Sequence, residues 1–542
     1  MTNSSSSLPD TGEPVPQVDI FRHPLRLSLA ALALGLAVEI LFYARPVGIS
    51  FPVWAALVCL VGVGMAWAEF RRPATGGLWL VVPIVGFAAL AFVRLEPLTL
   101  FLNIVVVLAL LAFWVRTFRT GRLLAFGWVD YVVALAWVPL EALLRPWQVL
   151  SAANRQALGD RGANSRMLAV LRGLVLALPI LVVFAALLTA ADLIFADYLR
   201  RALEWLDLER LADLARRTVV VLVCTIFFLG ALVAALRDPG DRKLIGEHKP
   251  LLAPFLGFTE SVVVLAAVDL LFALFVFIQI RYLFGGEANI TASGFTYSEY
   301  ARRGFGELVA VAFLTLALIL GLGAYSRRGT RGQQGWFLSL SAVMVALVGV
   351  ILTSAFLRLQ LYEAAYGFTR LRAYTHAAIL WMGVSFLLFL VTLLAGNLRA
   401  FAPAAVGMVL GFALTLNVLN VDDFIVRRNA ERARAGSELD IAYLTGLSED
   451  SVPALAALAG ESPPEIQKDL LPRLACHLAS LDQRVSQAWP STHLSVLQAR
   501  SALKPWRAIL SGYHVDSAGP RYGWTVEDPR GKTQGCFYPV YD

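Results

Sequence analysis

Asp269 is the side chain in this sequence with the most chemical leverage. It sits near the middle of SVVVLAAVDLLFALFVFIQIRYLFGG, a run apolar enough to cross a bilayer. A carboxylate at that depth needs a partner, a proton or water, so it reads either as a packing device or as an ion- or proton-coupling group. Glu260 is an unsuitable partner, because nine residues at about 100° each put the two on opposite faces of one helix. Gln279 lies ten residues on, about 80° around the helix, where the two can border a shared polar seam. Hydrogen bonds between membrane helices are worth roughly 0.6 kcal/mol on average, which fits glue better than mechanism. A partner from another span is therefore expected for Asp269, with Arg172, His376, Asn103, Asn417 and Glu39 as candidates.

A second group of chemically capable residues follows that run. The connector TYSEYARRGFGEL carries Tyr297, Glu299, Tyr300, Arg302 and Arg303, and the later stretch RLQLYEAAYGFTRLRAYT adds Glu363 and Arg370. Together they form an expected external interfacial cluster. Aromatic and cationic anchors sit at that level in membrane proteins. Arginine forks also match phosphate, so the sharper alternatives are a lipid-headgroup site or an enzyme acting on lipid-linked substrates. Within the later stretch Leu357, Leu361, Ala364, Phe368 and Leu371 recur at helical spacing, predicting a helix that lies on the membrane or extends the preceding span. His376, alone at a span start, reads as an interface residue.

The four cysteines have no metal-ligand spacing: Cys59 and Cys224 lie in apolar runs, Cys476 and Cys536 in the tail. The last two are expected to pair if the tail faces an oxidising compartment and to be free thiols otherwise. No P-loop, HExxH, GxSxG, paired CxxC or glycine-rich dinucleotide fingerprint occurs in a plausible context. That argues against an ATPase or a zinc protease and leaves no metal or cofactor to expect.

Composition supplies the frame for these residues. Of 542 residues 58% are hydrophobic and 16% charged, and the mean hydropathy is +0.67, outside the range of soluble proteins. The fold class that follows is all-α, a polytopic transmembrane helix bundle with a C-terminal soluble, mainly helical domain. The net charge of +7 does not point to nucleic acid: from Val421 onward 13 basic residues face 15 acidic ones, so the surplus sits on the membrane part, where arginines flank helix ends.

Residues 1–20 read as a disordered polar head. Residues 21–420 hold eleven apolar runs, each long enough for a core roughly 30 Å thick: Leu25–Ala44, Phe51–Ala68, Leu78–Val93, Leu98–Val115, Leu168–Phe195, Leu214–Leu236, Thr259–Phe284, Phe305–Tyr325, Trp336–Leu357, His376–Ala395 and Ala400–Leu419. A twelfth span is available if 123–144, with Asp130 and Glu141, also crosses. Orientation follows arginines and lysines in short loops. An interfacial 123–144 keeps Arg116, Arg119, Arg122, Arg145, Arg155, Arg161 and Arg166 on one side, so 116–169 is read as a cytoplasmic interfacial segment. The N terminus is then cytoplasmic and the tail, 421–542, extracytoplasmic. In that tail Ser437 with Asp440 resembles a capping pair, Gly446 is placed to end a helix and Ser448 to start one. Helical patterns follow over Pro464–Leu481 and Thr492–Leu510, then an aromatic end that reads as extended.

Several motifs together, AADLIFADYL, FVFIQIRYLFGG, TYSEYARRGFGEL, RLQLYEAAYGFTRLR, NVLNVDDFIVRRNAER and LDIAYLTGLSEDSVPAL, resemble a bacterial family of multi-pass membrane proteins catalogued as a domain of unknown function (the DUF 4153/4173 group). The likeness covers about Leu168–Leu458. It implies a bacterial inner-membrane location and adds no catalytic residue. The expectation is a non-enzymatic sensor, scaffold or assembly partner, with the lipid bilayer and a protein bound through the tail as its partners. The alternative is a secondary transporter or ion pathway coupled through Asp269.

Overall fold

The computed structural model describes residues 23–146, 208–237, 255–283, 305–485, 488–517 and 523–536, with isolated positions between 184 and 197. Among the described residues the longer helices up to the start of the tail are α1 Pro24–Phe42, α2 Ser50–Ala68, α3 Val81–Val93, α4 Pro97–Thr117, α5 Trp128–Leu144, α6 Leu208–Leu236, α7 Phe258–Leu283, α8 Phe305–Tyr325, α9 Arg331–Tyr366, α10 Arg370–Leu394, α11 Phe401–Leu419 and α12 Val421–Arg434, with a single turn Thr75–Leu78 before α3. Among the described residues ten helices are long and apolar enough to cross a membrane. They coincide with ten of the eleven expected runs; the remaining one, 168–195, lies outside the described residues.

Local chemistry sets the boundaries. Pro24 and Pro97 occupy first helical turns, where a missing N–H costs nothing. Helix α9 runs for 36 residues, about 54 Å, and so projects well past a bilayer core. The expected helical stripe through Leu371 is broken at Gly367, whose φ of 80° suits glycine and where a Cβ would stand 2.5 Å from Asn429 Oδ1. The stripe thus extends the preceding span and stops, and α10 begins afresh.

Two groups of spans can be traced by what they bury. In the first, α1, α2, α3, α4 and α6 share a core that includes Leu34, Ile84, Val107, Trp114 and Leu232. Gly35 lets α1 close on α6, since a Cβ there would sit 2.4 Å from Thr225 Oγ1. In the second, α7 to α11 pack around Leu265, Met344, Val348, Phe386 and Phe389. Helices α7 and α9 run parallel: Leu256 bonds to the main chain of Tyr325 and Arg327 at one end, and Ser354 Oγ donates to Gln279 at 3.1 Å at the other.

The chain ends sort into two rims. One gathers the ends of α2, α4, α6 and α8 and the starts of α7, α9 and α11, and there Arg71 and Arg119 donate to the Leu236 carbonyl. It also carries Arg72, Arg122, Arg327, Arg328 and Arg399. The opposite rim carries the tail. Helix α5, 17 residues or about 25 Å long, is held near the arginine rim at both ends. Tyr131 packs edge-on to Phe113, one turn before the end of α4. Ala142 touches Gly230, six residues from the end of α6, where a Cβ would lie 1.9 Å from its carbonyl oxygen. Asp130 accepts from the Gly127 N–H and Glu141 pairs with Arg145, so both acids of the segment serve the helix itself.

The tail continues from α11 through Asn420, a left-handed cap, into α12, then α13 Ile441–Thr445, α14 Val452–Glu461, α15 Pro464–Val485 and α16 Leu494–Leu503. Gly446 and Ser448 cap as expected. The first helix of the pair is capped by Asp440 alone, whose carboxylate accepts from Tyr443 N–H; Ser437 takes no part in that cap. The aromatic end is not simply extended. It folds into an antiparallel sheet of three short strands, β1 His514–Asp516, β2 Thr525–Glu527 and β3 Thr533–Gly535, joined to α15 by a Cys476–Cys536 disulfide.

Candidate functional site

Acidic side chains from the tail and the spans converge where the tail meets its rim. Asp450, in the single turn before α14, turns one carboxylate oxygen onto the bundle, accepting from Leu95 N–H at 2.7 Å and Glu96 N–H at 2.8 Å. Glu96 caps α4, accepting from Leu98 and Thr99 N–H at 2.9 and 2.8 Å, and also accepts from Tyr374 of α10. Asp422, fully buried at the start of α12, takes a two-pronged contact from Arg370 at 2.8 and 2.6 Å and a third bond from Ser448 N–H at 2.8 Å. Such charge-assisted, two-pronged bonds are the stronger kind, and buried charges survive only when so surrounded.

A ring of neutral bonds extends this junction. Asn103 and Asn417 exchange amide bonds at 3.0 and 2.8 Å across α4 and α11, and Arg94 Nε donates to the Asn417 carbonyl. Asn429 of α12 binds both the N–H and the carbonyl of Phe368 at 2.9 Å, fixing the break between α9 and α10. His493 Nε2 meets the Ala91 carbonyl at 3.0 Å while Nδ1 accepts from Ser495 N–H, the arrangement of a neutral imidazole. Beneath them the tail core is continuous with the span ends, since Leu444, Leu455 and Leu474 share one cluster with Leu95, Leu98, Tyr374 and Leu416.

The residues singled out from sequence fall differently. Asp269 is 7% exposed and neither carboxylate oxygen has a hydrogen-bond partner among the described residues. With Gln279 level with Ser354, helix geometry puts Asp269 level with Met344 and about one turn from Ser341, whose buried hydroxyl is likewise without a partner. None of the described candidates supplies the expected bond. Glu39 pairs with Arg217 at 3.0 Å, His376 with Glu363 at 3.0 Å, and Asn103 with Asn417. Arg172 lies outside the described residues. His376 is therefore not a lone interface residue: it holds a buried glutamate and packs edge-on to Phe356. Of the expected external cluster, Tyr297, Glu299, Tyr300, Arg302 and Arg303 also lie outside the described residues, while Glu363 and Arg370 turn to separate partners. Among the described residues no group of three metal-ligating side chains converges.

A chamber of about 520 Å³ opens beside this junction, between the α1–α2 turn, the start of α4 and the tail. Val47, Leu100, Val496 and Leu497 lie in its apolar wall, and Arg484, Ser491, Thr492 and His493 are its polar members.

Ten apolar helices with the tail fused to one rim define a polytopic integral membrane protein. The sequence profile described as "Domain of unknown function (DUF4153)" matches residues 81–458, well over half of the chain, and the chain belongs to that family. The match begins at the first residue of α3, earlier than the motifs alone indicate, and takes in Glu96, Arg370, Asp422 and Asp450. It ends before Arg484 and His493. No curated protein and no solved structure matches the chain.

Two buried groups in the tail titrate in opposite senses. Burial pushes the Asp450 carboxyl from 3.8 up to about 6, with Asp422 adding to the rise. Burial pulls His493 from 6.5 down to about 4. The Asp450 contribution to stability is full below pH 3.8 and lost as pH rises through 6; that of His493 is present above 6.5 and lost as pH falls through 4. Between pH 4 and 6 the two slopes oppose. Thermal melts of Asp450→Asn should therefore show stability falling on acidification, and those of His493→Asn stability rising, each by up to about 3 kcal/mol. Profiles unchanged from wild type in both variants would contradict this assignment.

Proposed function

We propose that this is a non-enzymatic bacterial inner-membrane protein in which an eleven-span bundle holds an extracytoplasmic helical domain rigidly on one rim, working as a sensor, scaffold or assembly partner. The observation that carries this reading is the junction: tail and spans share buried carboxylate bonds and one apolar core, so the tail is a fixed platform. The opposite rim gathers most of the loop arginines among the described residues, which favours that side as cytoplasmic, with α5 as an interfacial helix there. A disulfide in the tail suits an oxidising compartment. The described chain leaves the arginine rim after α5 and resumes from the other rim at α6, the parity that one further crossing gives. Alkaline phosphatase joined after Asp542 should be active and green fluorescent protein at the same point dark. The reverse pattern would sink the extracytoplasmic assignment.

A second reading rests on Asp269. Buried, with no hydrogen-bond partner among the described residues and about one turn from the level of Ser341, whose hydroxyl has none there either, it meets the requirement for an intramembrane coupling carboxylate, which takes its partner from a passing ion or proton. Dicyclohexylcarbodiimide, an apolar carboxyl reagent, should label wild type at Asp269 and leave Asp269→Asn unlabelled. Absence of labelling in wild type would assign Asp269 to packing.

A further inference from the structure

The chamber between the α1–α2 turn and the tail shares Leu95 and His493 with the junction, but the side chains of Arg484 and Ser491 take no part in the junction bonds described above, and it is built like a binding site. Its volume of about 520 Å³ lies within the roughly 300–1,000 Å³ of small-molecule sites, which combine apolar walls with a few convergent polar groups. The walls are firmly placed, since Ile49 N–H donates to the Thr492 carbonyl at 2.8 Å and Gly48 packs directly on the main chain of Pro490 to Thr492. Leu100 belongs to the first turn of α4 and so marks the level at which a span begins. Trp489, 59% exposed, stands beside Ser491, and Leu497 is 44% exposed at the chamber wall. Exposed tryptophans are enriched in the headgroup layer, the level at which spans begin.

The polar members favour an anion. Among the described residues Arg484 makes one ion pair, 3.3 Å from Nη2 to Glu449 Oε1. Glu449 is 3% exposed and does not line the chamber. A guanidinium carries five N–H donors in a planar fork, so most of that fork remains for a ligand. Ser491 Oγ is shielded from solvent with no hydrogen-bond partner among the described residues. The exposed Arg45 precedes Pro46, another wall residue. His493 also lines the chamber but has both ring nitrogens engaged, so it offers surface and not charge.

We propose that this chamber binds a single-chain anionic amphiphile, its alkyl chain along Val47, Leu100, Val496 and Leu497 and its carboxylate or phosphate head on Arg484 and Ser491. A membrane-derived lysolipid and a free fatty acid share this chemistry. The inference does not depend on which side of the bilayer holds the tail, because both leaflets offer such molecules. An occupant would touch the α1–α2 turn, α4 and the tail at once, coupling three segments that are distant in sequence.

The test uses the purified full chain in maltoside micelles, titrated with the fluorescent fatty acid cis-parinaric acid and, separately, with its methyl ester. Saturable binding of the acid is expected, with the ester at least about ten-fold weaker. Arg484→Gln should weaken the acid about ten-fold and leave the ester unchanged. Leu497→Trp, which narrows the mouth at a part-exposed position and keeps the Arg484–Glu449 pair, should weaken both. Displacement by oleate or by lysophosphatidylglycerol then separates the two sources, and displacement by either supports the proposal. It is overturned if no saturable binding occurs, if acid and ester bind alike, or if Leu497→Trp binds both as wild type does.

Discussion

A carboxylate can be buried against a foreign main chain only if its oxygens find donors there, and Asp450 does so with Leu95 and Glu96, 355 and 354 residues away. The rest of the architecture depends on that contact. It sets the tail against the start of α4, and through Glu96 and Tyr374 it reaches α10. Asp422 and Arg370 repeat the device one helix over, between α12 and α10. Burying such groups is not stabilising in itself, since desolvation offsets much of the attraction. What it supplies is register: the carboxylates and their donors fit one another in this docking of the tail on its rim.

This constraint links the two groups of spans. The first group meets the tail through Leu95, Glu96 and the Ala91 carbonyl, which take Asp450 and His493, the second through Arg370 and Phe368, which take Asp422 and Asn429, and the Asn103–Asn417 pair joins α4 to α11 beneath. A change at the tail is therefore felt in both groups. The chamber lies on the first side of this junction, where an occupant would press on the α1–α2 turn. Asp269 lies on the second side, deep in the α7–α9 seam, with no described bond connecting it to the tail. The two candidate activities thus belong to different parts of one fold.

The spans were legible because bilayer thickness imprints a length on apolar runs, and loop arginines marked one rim. The segment 123–144 holds a 17-residue helix, and its acids Asp130 and Glu141 are explained by a cap and a pair within α5. The junction was not legible. Glu96 before Pro97 looks like an ordinary helix cap, and Ser448 with Asp450 like another; each does cap, and each also reaches across the molecule. Spacing along the chain carries no trace of a bond between residues 355 apart. Asn103 and Asn417 are visible as amides in apolar runs and so stand among the candidate partners for Asp269, when in the fold they complement each other. Gly367 shows the same limit in the backbone: a periodic stripe ran through it, and only the positive φ demanded by the Asn429 contact reveals the break.

The central claim is that tail and bundle form one cooperative body held by buried charge. A double-mutant cycle on Arg370→Met and Asp422→Leu, read by thermal unfolding in detergent, tests it most directly. Each single change leaves a buried charge without its partner and should destabilise by about 3–5 kcal/mol. The double change should cost less than either single one, with tail and bundle still melting together. Additive losses, or a tail that melts separately in the wild-type protein, would contradict the account.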